Sequence, residues 1–163
     1  MTMHTRIPAL LAALIILLIL APSAGAAGLS GNAILGLWEV EEGDGRIEIF
    51  RCGDKYCGRI AWLKEPNYPA DDRGGMGGKP LVDRENPSRE LRNRPQMGLR
   101  IMDGYTFRGD NRWDDGTIYN PENGKSYKST LSLVSSDRLK LRAFIGISLF
   151  GGSTVWKRVA SQK

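Results

Sequence analysis

The chain has 163 residues with a formal net charge of +5, and 41% of the residues are hydrophobic and 25% charged. This length suits one domain and is short for two with ordinary cores. The composition excludes a wholly disordered or fibrous protein, and the mildly basic balance without a cationic run indicates no nucleic-acid binding.

Residues 1–26 are predicted to be a secretory signal peptide. A short basic region with His4 and Arg6 precedes a continuous apolar run that ends at Ala21, and an Ala-x-Ala cleavage sequence ends at Ala26. The apolar run is shorter than the roughly 20 residues that span a bilayer, although an uncleaved membrane anchor is the alternative. We therefore expect an exported protein, periplasmic or secreted, that keeps no stable membrane span after cleavage.

The histidine content excludes several kinds of chemistry. His4 is the single histidine and lies in the predicted signal peptide. The mature chain would then have no Ser-His-Asp or Cys-His catalysis and no histidine-based zinc site. We predict that the protein is not an enzyme and that it has no metal and no cofactor.

Cys52 and Cys57 flank a Gly-Asp-Lys-Tyr turn between two predicted strands. Across such a hairpin the two side chains would lie close enough to bridge, and an exported protein meets an oxidising compartment. The spacing therefore predicts a disulfide. Free thiols, or a metal or redox site, are the alternatives.

Most of the remaining chain is predicted to form short antiparallel strands. Apolar and polar residues alternate over residues 125–134 and again over 139–145, and turns rich in Gly, Asn and Asp separate the strands. Eight or nine strands joined by sequential hairpins predict an all-β fold, a single antiparallel up-and-down β-barrel over residues 36–159. Residues 27–35 would be a flexible mature N-terminus and residues 160–163 a C-terminal tail.

Residues 64–96 interrupt the hairpin pattern with several prolines and a Gly-Gly-Met-Gly-Gly run. Within this long loop, Asn86 and Pro87 are typical of an N-cap and a first helical residue, which predicts a short helix through Arg92. Loops of this length are often functional.

An ordered series of motifs covers residues 35–159. The series is Cys52-Gly, Cys57-Gly-Arg-Ile-Ala-Trp-Leu-Lys-Glu-Pro66, Asp83, Asn86-Pro87, Leu91-Arg92-Asn-Arg94-Pro95, Gly98-Leu99, Trp113, Gly116-Thr-Ile-Tyr119-Asn-Pro121, Gly124-Lys-Ser-Tyr127, Phe150-Gly and Trp156-Lys-Arg158. It resembles a bacterial family of exported proteins known as domain of unknown function 2147. The resemblance implies a lipocalin-like, calycin-type barrel and brings no established activity.

A second resemblance concerns the two ends of the barrel sequence. Gly36 and Trp38 on the first predicted strand, with Arg158 on the last, are similar to the Gly-x-Trp and closing arginine of lipocalins. The resemblance implies that the guanidinium lies over the indole and closes one end of the barrel. These three residues are therefore expected to be structural.

Two groups of residues are candidate ligand contacts. The barrel interior would be lined by Trp62, Tyr127, Leu131, Leu141 and Phe144. Small closed barrels either hold one small ligand or are filled by their own side chains, so plain core packing is the alternative.

The second group lies in the long loop, where Arg89, Arg92 and Arg94 would suit an acidic head group. Pairing with neighbouring glutamates, or attachment of the loop to the barrel, is the alternative. Asp83 and Asn86 are interpreted as structural residues that cap turns.

A separate set of candidate residues consists of two acidic doublets, Asp71 with Asp72 and Asp114 with Asp115. Two carboxylates at the right separation hydrolyse glycosidic bonds, but these lie in Gly-rich turns where Asp commonly makes local hydrogen bonds. A weak calcium site is a further alternative, without a recognised ligand spacing.

The sequence favours a non-enzymatic cell-envelope protein that holds a small apolar or amphipathic ligand in its barrel. The alternative is a protein-interaction module in which a filled barrel uses residues 64–96 to dock on an unknown partner. A carboxylate-based hydrolase is the third hypothesis.

Overall fold

The computed structural model describes residues 30–146 and 151–160, so the predicted signal peptide lies outside the described residues, as do residues 161–163 of the predicted tail. Within them, eight antiparallel strands form a closed barrel in chain order. The strands are β1 (Gly36–Glu39), β2 (Gly45–Cys52), β3 (Lys55–Leu63), β4 (Arg100–Phe107), β5 (Arg112–Asn120), β6 (Lys125–Ser135), β7 (Arg138–Phe144) and β8 (Gly151–Val159). The prediction of an all-β up-and-down barrel is confirmed. No helix in these two ranges is long and apolar enough to cross a membrane.

Alternating side chains place one face of each strand inside the barrel. On β7, Leu139 and Leu141 are buried, whereas Lys140 between them is exposed. Their partners across the β6–β7 ladder are Leu133 and Leu131, which are also buried. Such cross-strand apolar pairs stabilise a sheet whose other face meets water.

Large side chains fill the barrel at the end where β1 begins, which we call the closed end. The most deeply buried of them include Trp38, Trp113, Tyr105, Met102, Leu131 and Leu139. The 3-10 helix Gly31–Ile34 packs against this end, and Ile34 is fully buried. The indole N–H of Trp38 donates to the Ile34 carbonyl oxygen at 2.8 Å. The folded barrel domain therefore begins before residue 36, which was the boundary predicted from the sequence.

Arg158 and Trp38 have the arrangement implied by the lipocalin resemblance. The guanidinium carbon of Arg158 lies 4.2 Å from the centre of the Trp38 ring. Its Nη1 donates to the Leu35 carbonyl oxygen at 2.8 Å, and Nη2 donates to the Ala33 carbonyl oxygen. Gly36 lies beside this guanidinium with φ +117, a backbone conformation that a side chain would strain.

The predicted disulfide joins Cys52 of β2 to Cys57 of β3, with 5.9 Å between their Cα atoms. Arg100 of β4 donates to the Cys57 Sγ at 2.6 Å. The disulfide closes the β2–β3 turn, which lies at the closed end of the barrel.

We expect the Cys52→Ser/Cys57→Ala protein to lose about 2 kcal/mol of unfolding free energy, because the short loop between them contributes a modest loop-closure entropy. Urea unfolding of this variant and of the dithiothreitol-treated parent should give the same loss. Equal stability of reduced and oxidised protein would contradict the expectation.

The loop of residues 64–96 lies at the other end of the barrel. Two isolated bridges, Asn67 to Pro80 and Val82 to Pro95, fold it back on itself. The helix expected from Pro87 to Arg92 is only the 3-10 turn Arg89–Leu91, and its N-cap is Ser88.

The expected cap, Asn86, is engaged elsewhere. Its amide oxygen accepts from the Ser88 N–H at 2.9 Å, and its amide nitrogen donates to the buried Asp83 at 2.8 Å. These contacts hold a turn instead of the first turn of a longer helix.

Candidate functional site: an apolar cavity at the open end

A cavity of about 810 Å³ occupies the end of the barrel opposite the 3-10 helix Gly31–Ile34. Most of its wall is apolar, and Ile47, Ile60, Leu141 and Trp156 belong both to this wall and to the buried core. Further apolar lining comes from Val40, Leu63, Leu81, Ile101, Ile118 and Ala143. A concave, mostly apolar space of this volume is typical of small-molecule sites.

The cavity exists because the sequence places small residues at this end of two paired strands. Ala143 of β7 faces Gly152 of β8, and both line the cavity. At the closed end the corresponding space is filled by indole and phenol rings such as those of Trp113 and Tyr105. A barrel of eight strands has room for either arrangement, and the side chains decide between them.

The rim of the cavity is acidic. Asp44 lies in the β1–β2 turn, Glu65 follows β3, and Glu122 lies in the β5–β6 turn. Gln96 and Asn120 add neutral polar groups. Among the residues that the structure describes, no lysine or arginine lines this cavity.

Two tyrosine rings complete the wall, and both hydroxyls are already hydrogen-bonded. The Tyr119 hydroxyl donates to Oδ1 of Asp83 at 2.6 Å and accepts from the Asn86 amide at 3.1 Å. Burial and the hydrogen bond to Asp83 raise the pKa of Tyr119, so its hydroxyl keeps its proton at neutral pH. The Tyr127 hydroxyl accepts from the Asn123 amide at 3.1 Å.

Asp83 fastens the long loop to the barrel beside the cavity. Its carboxylate is fully buried, and Oδ2 accepts from both Nε and Nη2 of Arg94, at 2.9 and 2.8 Å. Two charge-assisted hydrogen bonds from one guanidinium to this oxygen fix the geometry as well as neutralising the buried charge. Through Tyr119 on β5, the same carboxylate ties the loop to the cavity wall.

Gly124 in the β5–β6 turn allows the second close approach of this loop. A Cβ atom at this position would lie 1.9 Å from the Glu85 carbonyl oxygen, and the backbone has φ +67. Only glycine satisfies both conditions. The loop of residues 64–96 is therefore docked against β5 and its following turn.

Three of the five predicted interior contacts line the cavity: Tyr127, Leu141 and Phe144. Leu131 is fully buried in the filled half of the barrel. Trp62 is exposed, and the Arg46 guanidinium carbon lies 4.6 Å from its ring centre. The expectation that Leu131 and Trp62 line a cavity is not met.

The three loop arginines do not line the cavity. Arg89 is exposed, and Arg92 donates from Nε to the Asn86 carbonyl oxygen at 2.7 Å. Arg94 neutralises Asp83. The structure therefore assigns Arg92 and Arg94, together with Asp83 and Asn86, to holding the loop.

The acidic doublets proposed as catalytic carboxylates do not line the cavity either. Asp72 accepts from the Gly74 and Met76 backbone N–H groups and from Arg84, and these bonds, led by that from Arg84, lower the pKa of Asp72. Asp114 pairs with Arg112 and Asp115 with Arg108, whereas Asp71 lies in the loop beside Asp72.

Most of the cavity wall was not predicted from the sequence. Ile47 and Ile60 occupy positions of alternating burial on β2 and β3, so a full assignment of inward positions would have found them. The three rim carboxylates had no such signal, because they belong to turns and come together only in the folded barrel.

An eight-stranded antiparallel barrel, closed at one end by an Arg–Trp pair and carrying a cavity at the other, defines a lipocalin-like protein. Residues 36–158 match DUF2147, described as an uncharacterised protein conserved in bacteria, and the chain belongs to this family. The resemblance found in the sequence is thus confirmed. No curated protein matches the chain.

The structure is similar to that of protein HP1028 from the human pathogen Helicobacter pylori, which belongs to the lipocalin family. The TM-score is 0.65 at 21% sequence identity, and the match covers 78% of this chain and 83% of that one. At this identity the likeness shows the shared fold.

Proposed function

We propose that the protein is an exported binding protein of the cell envelope that holds a small apolar or amphipathic ligand in its barrel. The observation that carries this proposal is the cavity of about 810 Å³ with its apolar wall. Ligand pockets commonly have volumes of about 300–1,000 Å³ and a few polar groups near one end. The alternative of a docking module on a filled barrel fits less well, because one half of the barrel is unfilled.

The disulfide between Cys52 and Cys57 supports export, because disulfides persist in oxidising compartments and are rare in a reducing cytosol. The apolar run before Ala26 supports it independently, since it has the length and flanking residues of a signal peptide.

We propose binding without catalysis. Once His4 is removed with the signal peptide, the chain has no histidine to act as a general base. The Tyr119 hydroxyl at the cavity is committed to Asp83 and Asn86.

The test introduces a side chain that fills the cavity and then measures binding of N-phenyl-1-naphthylamine. This neutral apolar probe becomes more fluorescent in apolar surroundings. Ala143→Phe places a ring in the cavity wall, and we expect it to weaken probe binding at least tenfold because the ring occupies the probe's space.

Val134→Phe is the matched control, because Val134 is 64% exposed and lies towards the closed end of β6. Thermal unfolding of both variants reports whether they remain folded. If folded Ala143→Phe binds the probe as tightly as the parent, or if the parent binds none, the cavity is not a binding site.

A further inference from the structure

We infer that the ligand's polar end is cationic, an amine or quaternary ammonium group attached to an apolar body. This inference rests on the proposed function, and it concerns the charge at the rim of the same cavity. It differs from the sequence-based expectation of an acidic head group held by Arg89, Arg92 or Arg94.

The charges at the rim are opposite in sign to the net charge of the chain. The chain has 23 Lys and Arg residues against 18 Asp and Glu residues, so a random surface would carry more positive than negative groups. In the described part of the chain, every charged residue that lines the cavity is acidic: Asp44, Glu65 and Glu122. An anionic head group entering there would meet like charges, which disfavours its binding.

The three rim carboxylates form no ion pair with another described residue. Elsewhere in the protein, carboxylates such as Asp72 and Asp83 have arginine partners. The rim therefore presents a negative field that no neighbouring guanidinium neutralises by direct contact.

Aromatic side chains also form part of the cavity wall. Tyr119, Tyr127 and Trp156 line the cavity. The Tyr119 hydroxyl both donates to Asp83 and accepts from Asn86, so Tyr119 contributes its aromatic ring more than a free hydroxyl group. Carboxylates and aromatic faces both attract a cation, and a quaternary ammonium group suits such surroundings.

The experiment compares two amphiphiles with the same apolar chain and opposite head groups. Dodecyltrimethylammonium and dodecanoate, each below its micellar concentration, compete with N-phenyl-1-naphthylamine for the protein at neutral pH. We expect the cation to displace the probe at a concentration at least tenfold lower than the anion. We also expect added salt to reduce this preference, because exposed charges are screened.

Two matched variants separate the effect of the rim carboxylates from the effect of the protein's net charge. The preference for the cation should be about tenfold smaller in the triple variant Asp44→Asn/Glu65→Gln/Glu122→Gln than in the parent, because several exposed charges each contribute a small factor. The control, Asp54→Asn/Glu90→Gln/Asp110→Asn, removes the same charge from exposed residues that do not line the cavity, and it should keep the preference.

The outcomes distinguish this inference from the proposed function. If dodecanoate competes as well as the cation, or if the rim and control variants behave alike, the cationic inference is wrong and the binding cavity stands. If neither amphiphile nor the probe binds the folded protein, both proposals are wrong.

Discussion

The free energy of unfolding of the Arg94→Ala protein should be about 3 kcal/mol lower than that of the parent, because the fully buried carboxylate of Asp83 would lose its counter-charge. Tyr119 and Asn86 would still donate to this carboxylate, but neither carries a positive charge. Urea unfolding measures the loss directly, and the melting temperature should fall by about 10 °C.

Arg89→Ala is the matched control for this prediction. Arg89 lies in the same loop and is exposed, so its removal should change the unfolding free energy by less than about 0.5 kcal/mol. If Arg94→Ala is as stable as Arg89→Ala, the pair with Asp83 does not hold the loop.

The same pair connects stability with the binding site. Asp83 accepts from the hydroxyl of Tyr119, whose ring forms part of the cavity wall. Folded Arg94→Ala should therefore bind N-phenyl-1-naphthylamine more weakly than the parent, and its residues 64–96 should be cleaved earlier in limited proteolysis. Arg89→Ala should change neither measurement.

Sequence patterns predicted the barrel because its strands follow simple rules. On β6 and β7 apolar residues alternate with polar ones, and the Asn120-to-Gly124 turn leads from β5 into β6. A chain of consecutive hairpins with one apolar face has few ways to bury that face, and a closed barrel is one of them.

The wrong placement of Trp62 has a local cause. In the β2–β3 ladder, Arg46 pairs with Trp62 but Ile47 pairs with Ile60, so β3 carries one extra residue at this point. Such a bulge reverses the side of the sheet on which the next side chains lie. Simple alternation would have placed Trp62 on the same face as Ile60.

The roles of the loop arginines were not predictable from sequence for a different reason. Their spacing indicated only that three guanidinium groups lie near one another in the sequence. Asp83, the acid that Arg94 neutralises, lies 11 residues away from it, and Tyr119, which also bonds Asp83, lies 36 residues from that acid. Contacts of this range follow from the fold rather than from local pattern. The hollow end of the barrel was not predictable for the same reason, because Ala143 and Gly152 face each other there only in the folded barrel.

At the closed end, Trp38→Ala should have the largest effect of all, a loss of about 4 kcal/mol of unfolding free energy. The Trp38 side chain is fully buried, donates to the Ile34 carbonyl oxygen and packs under the Arg158 guanidinium, so its removal leaves a cavity and breaks the closure of the barrel. Trp62→Ala, which truncates an exposed tryptophan, should cost about 1 kcal/mol or less.

A double-mutant cycle then measures how far Arg158 and Trp38 act together. Arg158→Ala removes the stacking on the indole and the hydrogen bonds to Ala33 and Leu35, so the double variant should lose less than the sum of the two single losses. Each folded variant should still bind N-phenyl-1-naphthylamine, because the cavity lies at the opposite end of the barrel. Strictly additive losses would mean that the closing pair is not coupled, and weakened probe binding in the folded variants would mean that the closed end also shapes the cavity.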